Sequence, residues 1–440
     1  MFKKLLNNAS PFIKDGLGLV GGQIIITFLS LGNVVVTARA LDVDGRGHFS
    51  MALLYGYILF MLTEFGLGSS GTRLIAAGHW AKSEILASHA FAIALRCILI
   101  GLIGTIIVLF FSEELFPGVP VEYLYLGVLQ IPPLMVAGSI LPLLLGIGLA
   151  KTYNRILIFS SAIGVASLII CWAFFGLSVR SALILNFTVG ALTSAIIWFS
   201  IRSVIKGSIK PNFRYLAEAY RFGFGLYASS ILSFANTRLI WLLINGLIGP
   251  VGVGLYSIAQ TCTDRIYMIA DALGTILFPR ISEDPENNSQ RITPIVFRVT
   301  IAATAILSLL FGLLAEWFVV LLFSASFNDA IPIVRLLLIA VVFSSGWRVL
   351  SQDLNGRGHS GMTAVINSLV TVVGLTVAIL LLPRMGIVGA AWASVAAAFI
   401  SLFSGILLFG YFQNKGHTLT MSLFVPSARE KKFFSNIIFW

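Results

Sequence analysis

The sequence predicts an all-α protein that crosses a membrane about twelve times, and three observations support this fold class. Of the 440 residues, 58% are hydrophobic and only 11% are charged, whereas soluble domains carry about 25% charged residues. Several long segments contain no Asp, Glu, Lys or Arg: Gly16 to Ala38, Tyr123 to Ala150, Ile156 to Val179, Leu239 to Thr263 and Met385 to Asn414. Each exceeds the roughly 20 apolar residues that a helix needs to cross the hydrocarbon core. Because lipid offers backbone amides no partner, such segments are expected to be helical.

Polar breaks between the apolar runs divide the chain into twelve predicted helices. They lie near 12–38, 49–70, 87–111, 122–149, 156–177, 181–201, 222–247, 253–278, 297–322, 331–354, 361–382 and 387–412. The fourth contains Pro132, Pro133 and Pro142, and proline removes a backbone donor, so this helix is expected to bend. The bend is interpreted first as a structural kink and second as part of a gate. The adjacent Gly21 and Gly22 predict close helix packing or a hinge.

The distribution of positive charge predicts the orientation in the membrane. If the N-terminus is cytoplasmic, 20 of the 29 Lys and Arg residues lie on the cytoplasmic side, and five lie within helices. The outer connections hold only Arg39, Arg46, Arg180 and Arg384. Short cytoplasmic loops are enriched in Lys and Arg, so both termini are predicted to be cytoplasmic. The net charge of +11 therefore indicates topology, and no nucleic-acid partner is predicted.

The chain contains an internal repeat. The segment from Gly47 to Ala52 matches the segment from Gly254 to Ala259 at an offset of 207 residues, and glycines further on match at an offset of 210. Parallel repeats of six helices are typical of transporters, whose substrate path lies where the repeats meet. The predicted organisation is an N-terminal six-helix half (1–201), a cytoplasmic linker (202–221), a C-terminal six-helix half (222–412) and an interfacial tail (413–440).

Short motifs along the whole chain resemble those of a known family. They are Thr37-Ala-Arg-Ala-Leu41 with Gly45-x-Gly47-x-Phe49, Glu64-Phe-Gly-Leu-Gly68 before Arg73, Arg221-Phe-Gly223, Asn236-Thr-Arg238, Gly249-Pro-x-x-Val-Gly-Leu-Tyr256, Leu277-Phe-Pro-Arg-Ile-Ser282, Leu354-Asn-Gly-Arg-Gly358 and Pro383-Arg-Met-Gly-Ile-Val-Gly-Ala-Ala391. Together they resemble the polysaccharide exporters and O-antigen (Wzx-type) flippases of the multidrug, oligosaccharidyl-lipid and polysaccharide exporter superfamily. One departure is that Leu239 and Ile240 follow Arg238 where the family often has an acidic residue.

The resemblance implies a MATE/MurJ-like fold in a bacterial inner membrane. It also implies that the protein flips undecaprenyl-diphosphate-linked oligosaccharide, such as an O-antigen repeat unit, from the inner to the outer leaflet by alternating access. A polysaccharide polymerase and a chain-length regulator are then expected partners besides membrane lipids. An ion-coupled small-molecule or multidrug exporter of the same superfamily is the first alternative. A membrane enzyme of polysaccharide assembly is the second, although the outer connections, of about ten residues or fewer, leave no room for a catalytic domain.

Arginines inside helices are the candidate substrate-binding residues. An intramembrane charge is costly, so it usually faces a cavity. The hypothesis is a cationic path for a diphosphate, because the guanidinium fork donates two hydrogen bonds to phosphate oxygens and stays charged. Its members are Arg238, Arg265, Arg96 and Arg348. Ion pairs between helices are the alternative for Arg238 and Arg265, and Arg335 is interpreted as reaching toward the membrane surface.

Acidic residues near these arginines suggest two further roles. Asp264 and Asp271 are seven residues apart and therefore share one helix face. Asp264 is a candidate for coupling to a proton or sodium ion, while membrane potential is another energy source. Four charges at helix ends are predicted to be structural: Glu64, Asp271, Arg73 and Arg280. No cofactor is predicted, and neither the five histidines nor the three cysteines have the spacing of a metal site.

Overall fold

The computed structural model describes residues 11–207, 210–412 and Leu423, with side-chain surroundings from Gly21 onward apart from a few positions between 226 and 286. Within this part of the chain the regular elements are helical, and no strand forms. They are α1 Pro11–Glu64, α2 Leu67–Ala77, α3 Lys82–Leu115, α4 Val121–Leu129, α5 Ile131–Ser139, α6 Leu143–Gly146, α7 Ala150–Phe175, α8 Val179–Val204, α9 Phe213–Ile248, α10 Pro250–Glu283, α11 Pro285–Arg291, α12 Thr293–Leu313, α13 Ala315–Phe323, a 3₁₀ helix Ala325–Ala330, α14 Ile331–Gly356, α15 Ser360–Met385 and α16 Ile387–Phe412.

Nine helical segments among the described residues are long and apolar enough to cross a membrane. The longest, Gly21–Glu64, has 44 residues and contains the first two predicted helices. Helices α9 and α10 cover the seventh and eighth predicted helices, and α9 includes a shorter apolar stretch, Thr237–Ile248. The predicted polytopic all-α fold is confirmed. The ends of the chain, 1–10 and 413–440 apart from Leu423, lie outside the described residues, and so does the predicted interfacial tail.

The first two predicted helices are joined by a single residue. The helical path of α1 breaks at Asp42, which has φ 57° and ψ −174°. This region of backbone conformation is almost restricted to glycine. The residue 207 positions later in the repeat is Gly249, which has φ 98°. The sequence predicted a connection over 39–48, and this was wrong. A helix continues on both sides of the break, so Arg46 lies inside a helix and only 7% of its surface is exposed.

The fourth predicted helix, which its prolines predicted to bend, is broken in the structure. It consists of three short helices, α4, α5 and α6. Pro132 lies in the first turn of α5, and Pro142 immediately precedes α6. Proline is tolerated at these positions because the first N–H groups of a helix have no partner within it.

Gly22 lies in close contact with a neighbouring helix, because an added Cβ there would lie 2.0 Å from the Asn154 side chain.

The Cα packing divides the chain into two compact units. Unit 1 is Met1–Ile231 with Gly249–Gly254, and unit 2 is Leu232–Ile248 with Leu255–Trp440. The division falls within α9 and α10. The predicted halves 1–201 and 222–412 and the linker 202–221 stay predictions.

In unit 1 small residues allow close approach of helices. Helix α1 packs against α7 and α4, and an added Cβ at Gly56 would lie 2.3 Å from the carbonyl oxygen of Gly127. A second close contact occurs twice, each time between a glycine and a carbonyl oxygen at positions that the repeat makes equivalent. An added Cβ at Gly47 would lie 1.9 Å from the carbonyl oxygen of Pro250, and one at Gly254 would lie 2.3 Å from that of Val43. Residues 43 and 250 are themselves 207 apart, so equivalent positions form equivalent contacts.

Unit 2 is built around α16, which packs against α14 and α15, while α12 packs against α14. A buried ion pair lies at the C-terminal end of α14. The Nε atom of Arg357 lies 2.9 Å from Oδ2 of Asp353, and the two side chains are 9% and 0% exposed. The hydroxyl of Thr293 donates to the other carboxylate oxygen of Asp353 at 2.6 Å. Leu423 is buried in the apolar core of this unit, together with residues such as Leu350 and Phe409.

Candidate functional site

Unit 2 contains a polar cavity of about 380 Å³. Helices α9, α10, α14, α15 and α16 line it. Its polar lining consists of Thr237, Tyr256, Gln260, Thr263, Asp264, Tyr267, Ser344, Trp347, Arg348, Ser351, Asn367, Thr371, Ser394 and Ser401. Such a surface is unusual between membrane helices, where each unsatisfied polar group is costly. Intramembrane polar residues gathered around a cavity indicate a functional site.

Charged residues of α9, α10 and α14 form a cluster, and two of them, Asp264 and Arg348, line this cavity. Arg348 donates to Oδ1 of Asp271 in an ion pair, and its guanidinium lies 4.4 Å from the ring centre of Tyr267. Asp264 lines the cavity, and three arginines act on its carboxylate electrostatically: Arg238, Arg265 and Arg348. The cluster therefore contains three cations and two carboxylates, and its formal net charge is +1.

Aromatic and amide side chains surround the charges. Trp347 donates from Nε1 to Oδ1 of Asn367 at 3.1 Å. Trp241 donates in the same way to Oε1 of Gln260 at 2.9 Å, and the Arg238 guanidinium lies 4.5 Å from the Trp241 ring centre. Aromatic faces beside amide and hydroxyl groups can contact both the apolar faces and the hydroxyls of a sugar. The arrangement can therefore bind a ligand that is both polar and anionic.

The structure brings together three of the four arginines predicted to bind substrate, and Arg96 is not among them. Arg96 lies in unit 1 and is 7% exposed. Its guanidinium donates to the carbonyl oxygens of Ala92, Thr63 and Glu64 and to the hydroxyl of Ser139. These bonds join α3 to α1 and α5. Such contacts are typical of a structural residue, and the place of Arg96 in the cationic path stays a prediction.

The predicted structural charges have partners that the sequence did not identify. Asp271 pairs with Arg348 and not with Arg280 at its own helix end. Glu64 accepts hydrogen bonds from the backbone N–H groups of Gly66 and Gly68 at 2.6 and 3.2 Å, and so caps the start of α2. Arg73 lies with its guanidinium 4.0 Å from the ring centre of Phe222. Arg335 is exposed and donates from Nε to the carbonyl oxygen of Gly312 at 3.3 Å.

Sequence reasoning missed the neutral lining of the cavity, although a signal for it was present. Gln260, Asp264, Tyr267 and Asp271 follow one another at spacings of three or four, which places them on one face of α10. Taking the residues four before and three after Asp264, which share its helix face, would have identified Gln260 and Tyr267. Within the described residues, no group of three or more His, Cys, Asp and Glu is placed to hold a metal ion.

Comparison with known proteins identifies the family. The family described as "Polysaccharide biosynthesis protein" matches residues 12–285, more than half of the chain. The chain belongs to this family. Among its relatives is a protein of Shigella flexneri named "Putative O-antigen transporter", which is 23% identical over 407 residues that cover 86% of this chain and 93% of the relative. The family resemblance read from the short motifs is confirmed.

Solved structures confirm the fold of this polysaccharide biosynthesis family member. A structure entitled "Lipid II flippase MurJ, inward closed conformation" has a TM-score of 0.76 at 12% identity and covers 96% of this chain and 99% of its own. A multidrug resistance MATE family transporter of the MOP superfamily, described as inward-facing, has a TM-score of 0.71 at 16% identity and covers 89% and 96%. The predicted MATE/MurJ-like fold is therefore confirmed, and the chain is a multi-pass membrane protein.

Proposed function

We propose that this protein flips undecaprenyl-diphosphate-linked oligosaccharide, an O-antigen or other surface-polysaccharide repeat unit, from the inner to the outer leaflet of the bacterial inner membrane. The observation that carries the proposal is the unit 2 cavity, which combines Arg348 with aromatic and amide side chains and whose Asp264 also interacts electrostatically with Arg238 and Arg265. A diphosphate-linked sugar presents the complementary groups, namely two phosphates and a ring with many hydroxyls. Family membership and the named relatives support a lipid-linked saccharide over other anions of similar charge.

In this proposal Arg348, Arg238 and Arg265 receive the diphosphate. Arg348 is suited to exchange partners, because it lines the cavity and its ion pair with Asp271 leaves the two side chains 40% and 56% exposed. A phosphate can replace the Asp271 carboxylate as the acceptor of the guanidinium hydrogen bonds. Aromatic and amide groups around Trp347 then contact the sugar, and the polyprenyl chain remains in the bilayer.

An ion-coupled exporter of the same superfamily is the second candidate, and the position of Asp264 favours it. A carboxylate on the cavity wall can exchange a proton or sodium ion during transport. Three arginines act on that carboxylate, so the cavity is poorly matched to a cationic drug. In the flippase proposal Asp264 retains this coupling role, and no catalytic step is assigned to the protein.

The proposal also includes the orientation and the partners of the protein. Both termini are cytoplasmic, which the distribution of Lys and Arg supports. A polysaccharide polymerase and a chain-length regulator are the partners, which membership of the family supports.

Reconstitution tests the proposal directly. Purified protein is placed in liposomes with a fluorescent undecaprenyl-diphosphate-linked sugar, and dithionite added outside reports how fast labelled head groups reach the outer leaflet. Wild type should accelerate this exchange above protein-free liposomes. Arg238→Ala and Arg265→Ala should abolish most of the acceleration, and the corresponding Lys variants should retain part of it. Arg335→Ala is the matched control, because Arg335 is an arginine of the same unit outside this cavity.

Two results would overturn the proposal. Full flipping by Arg238→Ala and Arg265→Ala would remove the role of the cationic cavity. Equal transport of a neutral lipid-linked sugar without diphosphate would remove the anionic substrate. In cells, loss of the protein should leave lipid-linked oligosaccharide on the inner leaflet, where an added sugar-specific lectin cannot reach it.

A further inference from the structure

Unit 1 contains its own polar cavity, of about 460 Å³, lined by α1, α7 and α8. Seven pairs of residues related by the sequence repeat line this cavity and the one in unit 2. Four pairs have an offset of 207 and three an offset of 210: Ser30 and Thr237, Asn33 and Ile240, Phe49 and Tyr256, Leu53 and Gln260, Ser160 and Val370, Ser161 and Thr371, and Gly164 and Gly374. The two cavities are therefore equivalent positions of a duplicated architecture.

The unit 1 cavity has one charged residue in its described lining, Arg46. The residue 207 positions later is Val253, so the repeat does not require a cation here. The Arg46 side chain donates from Nη1 to the hydroxyl of Thr37 at 2.7 Å, and its guanidinium lies 5.5 Å from the Phe49 ring centre. Its Nε atom is buried and makes no hydrogen bond to any described residue. A buried donor without an acceptor is a costly arrangement.

No carboxylate in the described part of the chain compensates the charge of Arg46 or acts on it electrostatically. The acids nearest in sequence are both exposed. Asp42 lies at the helix break, and Asp44 pairs with His48 at 3.3 Å while its side chain is 64% exposed. The rest of the polar lining is neutral and consists of Ser30, Asn33, Ser160, Ser161, Ser167 and Asn186. A buried cation surrounded by hydroxyl and amide groups is complementary to a small anion.

We propose that the unit 1 cavity is a second binding site, which takes a compact oxyanion on Arg46. A carboxylate or a phosphate group would accept hydrogen bonds from Nε and the remaining guanidinium donors, and the serine and asparagine side chains would complete its shell. The oxyanion has two conceivable sources, a free inorganic or organic anion and the acidic group of a charged sugar. The inference concerns unit 1 alone and does not depend on the flippase proposal.

Anion-dependent thermal stability tests the site in purified protein. Sodium formate, phosphate, glucuronate and glucose are titrated at constant ionic strength, and the midpoint of unfolding is recorded. A ligand that binds only the folded state raises this midpoint, so wild type should gain about 2–5 °C in a saturable manner. Arg46→Gln should lose the response, and Arg335→Gln should keep it. Glucose, which has no charge, should have no effect on either protein.

A second variant covers the case in which Arg46→Gln does not fold. Asn33→Asp adds a carboxylate to the lining one helical turn before Thr37. It should unfold at a higher temperature than wild type without added anion and should respond less to formate. The absence of a saturable response in wild type, or an unchanged response in both variants, would overturn the proposal. A stronger response to glucuronate than to formate would identify an acidic sugar as the source, and equal responses would identify a free anion.

Discussion

Replacing Arg348 with Gln should impair transport far more than it impairs folding, and a second arginine of the same unit should behave in the opposite way. Arg348 and Arg357 each pair with an aspartate on a membrane helix, Asp271 and Asp353 respectively. In the first pair Arg348 lines the cavity and the side chains are 40% and 56% exposed, and the second pair is almost wholly buried. The two substitutions remove the same group from two different environments.

The expected magnitudes follow from this difference in exposure. An exposed ion pair contributes about 0–1 kcal/mol to stability, so Arg348→Gln should lower the free energy of unfolding by less than about 1 kcal/mol. Breaking a buried pair leaves an uncompensated charge and costs about 3–5 kcal/mol, and Arg357→Gln also removes the donor to Ser289. A hydrogen bond from a charged donor is worth about 1.5–3 kcal/mol, so losing one in the transition state should slow flipping roughly 10- to 150-fold.

Both quantities can be measured on the same protein samples. Thermal unfolding in detergent reports stability, and the liposome assay on the fraction that remains folded reports the flipping rate per molecule. Arg348→Gln should unfold close to the wild-type midpoint and flip slowly. Arg357→Gln should unfold at a much lower temperature but flip at a near-normal rate while it is folded. A large loss of stability for Arg348→Gln with unchanged flipping would refute the assignment of Arg348 to the substrate.

Three further predictions concern stability and can be measured by thermal unfolding of the purified protein. Asp42→Gly should raise the free energy of unfolding by about 1–3 kcal/mol because it relieves an unfavourable backbone conformation, and an unchanged midpoint would contradict the strain. Gly223→Ala should destabilise by about 1–3 kcal/mol, since its Cβ would lie 2.6 Å from a carbonyl oxygen. Gly225→Ala, with open space around it, should instead stabilise by up to about 1 kcal/mol. Tyr215→Phe removes the hydroxyl 2.8 Å from Nε2 of buried His89 and should cost about 1–3 kcal/mol. A midpoint at or above that of wild type would show that this hydrogen bond is dispensable.

Much of the fold was predictable because one physical constraint dominates a membrane chain. Apolar runs must be helical in lipid, so the positions of the helices followed from where charged residues interrupt them. The prolines predicted a bend in the region of α4 to α6, where the structure has three short helices. The reasoning from apolar runs failed between residues 39 and 48, where polar residues suggested a connection. Polarity identifies a break in an apolar run but does not show that the helix ends there, and Asp42 breaks the helical path in one residue.

The candidate site was predictable in its charges and not in its partners. An intramembrane charge is costly wherever it lies, so Asp264 and Arg348 stood out in the sequence. Helical spacing places Asp271 on the same face as Asp264, but it does not say which helix lies opposite. The partner, Arg348, comes from a helix 77 residues away. For the same reason Arg96 could not be distinguished from the three arginines around Asp264, because its carbonyl acceptors are supplied by tertiary packing.

The paired cavities show what gene duplication makes available to such a protein. In an assembly of two identical subunits, any change in one pocket appears in the other, so both must bind the same chemical group. Once the copies are fused they can diverge separately, and here they have done so. Polar Asn33 corresponds to Ile240, apolar Leu53 corresponds to Gln260, and buried Arg46 corresponds to Val253. Selection can therefore adapt one pocket to a new ligand while the ancestral chemistry of the other is preserved.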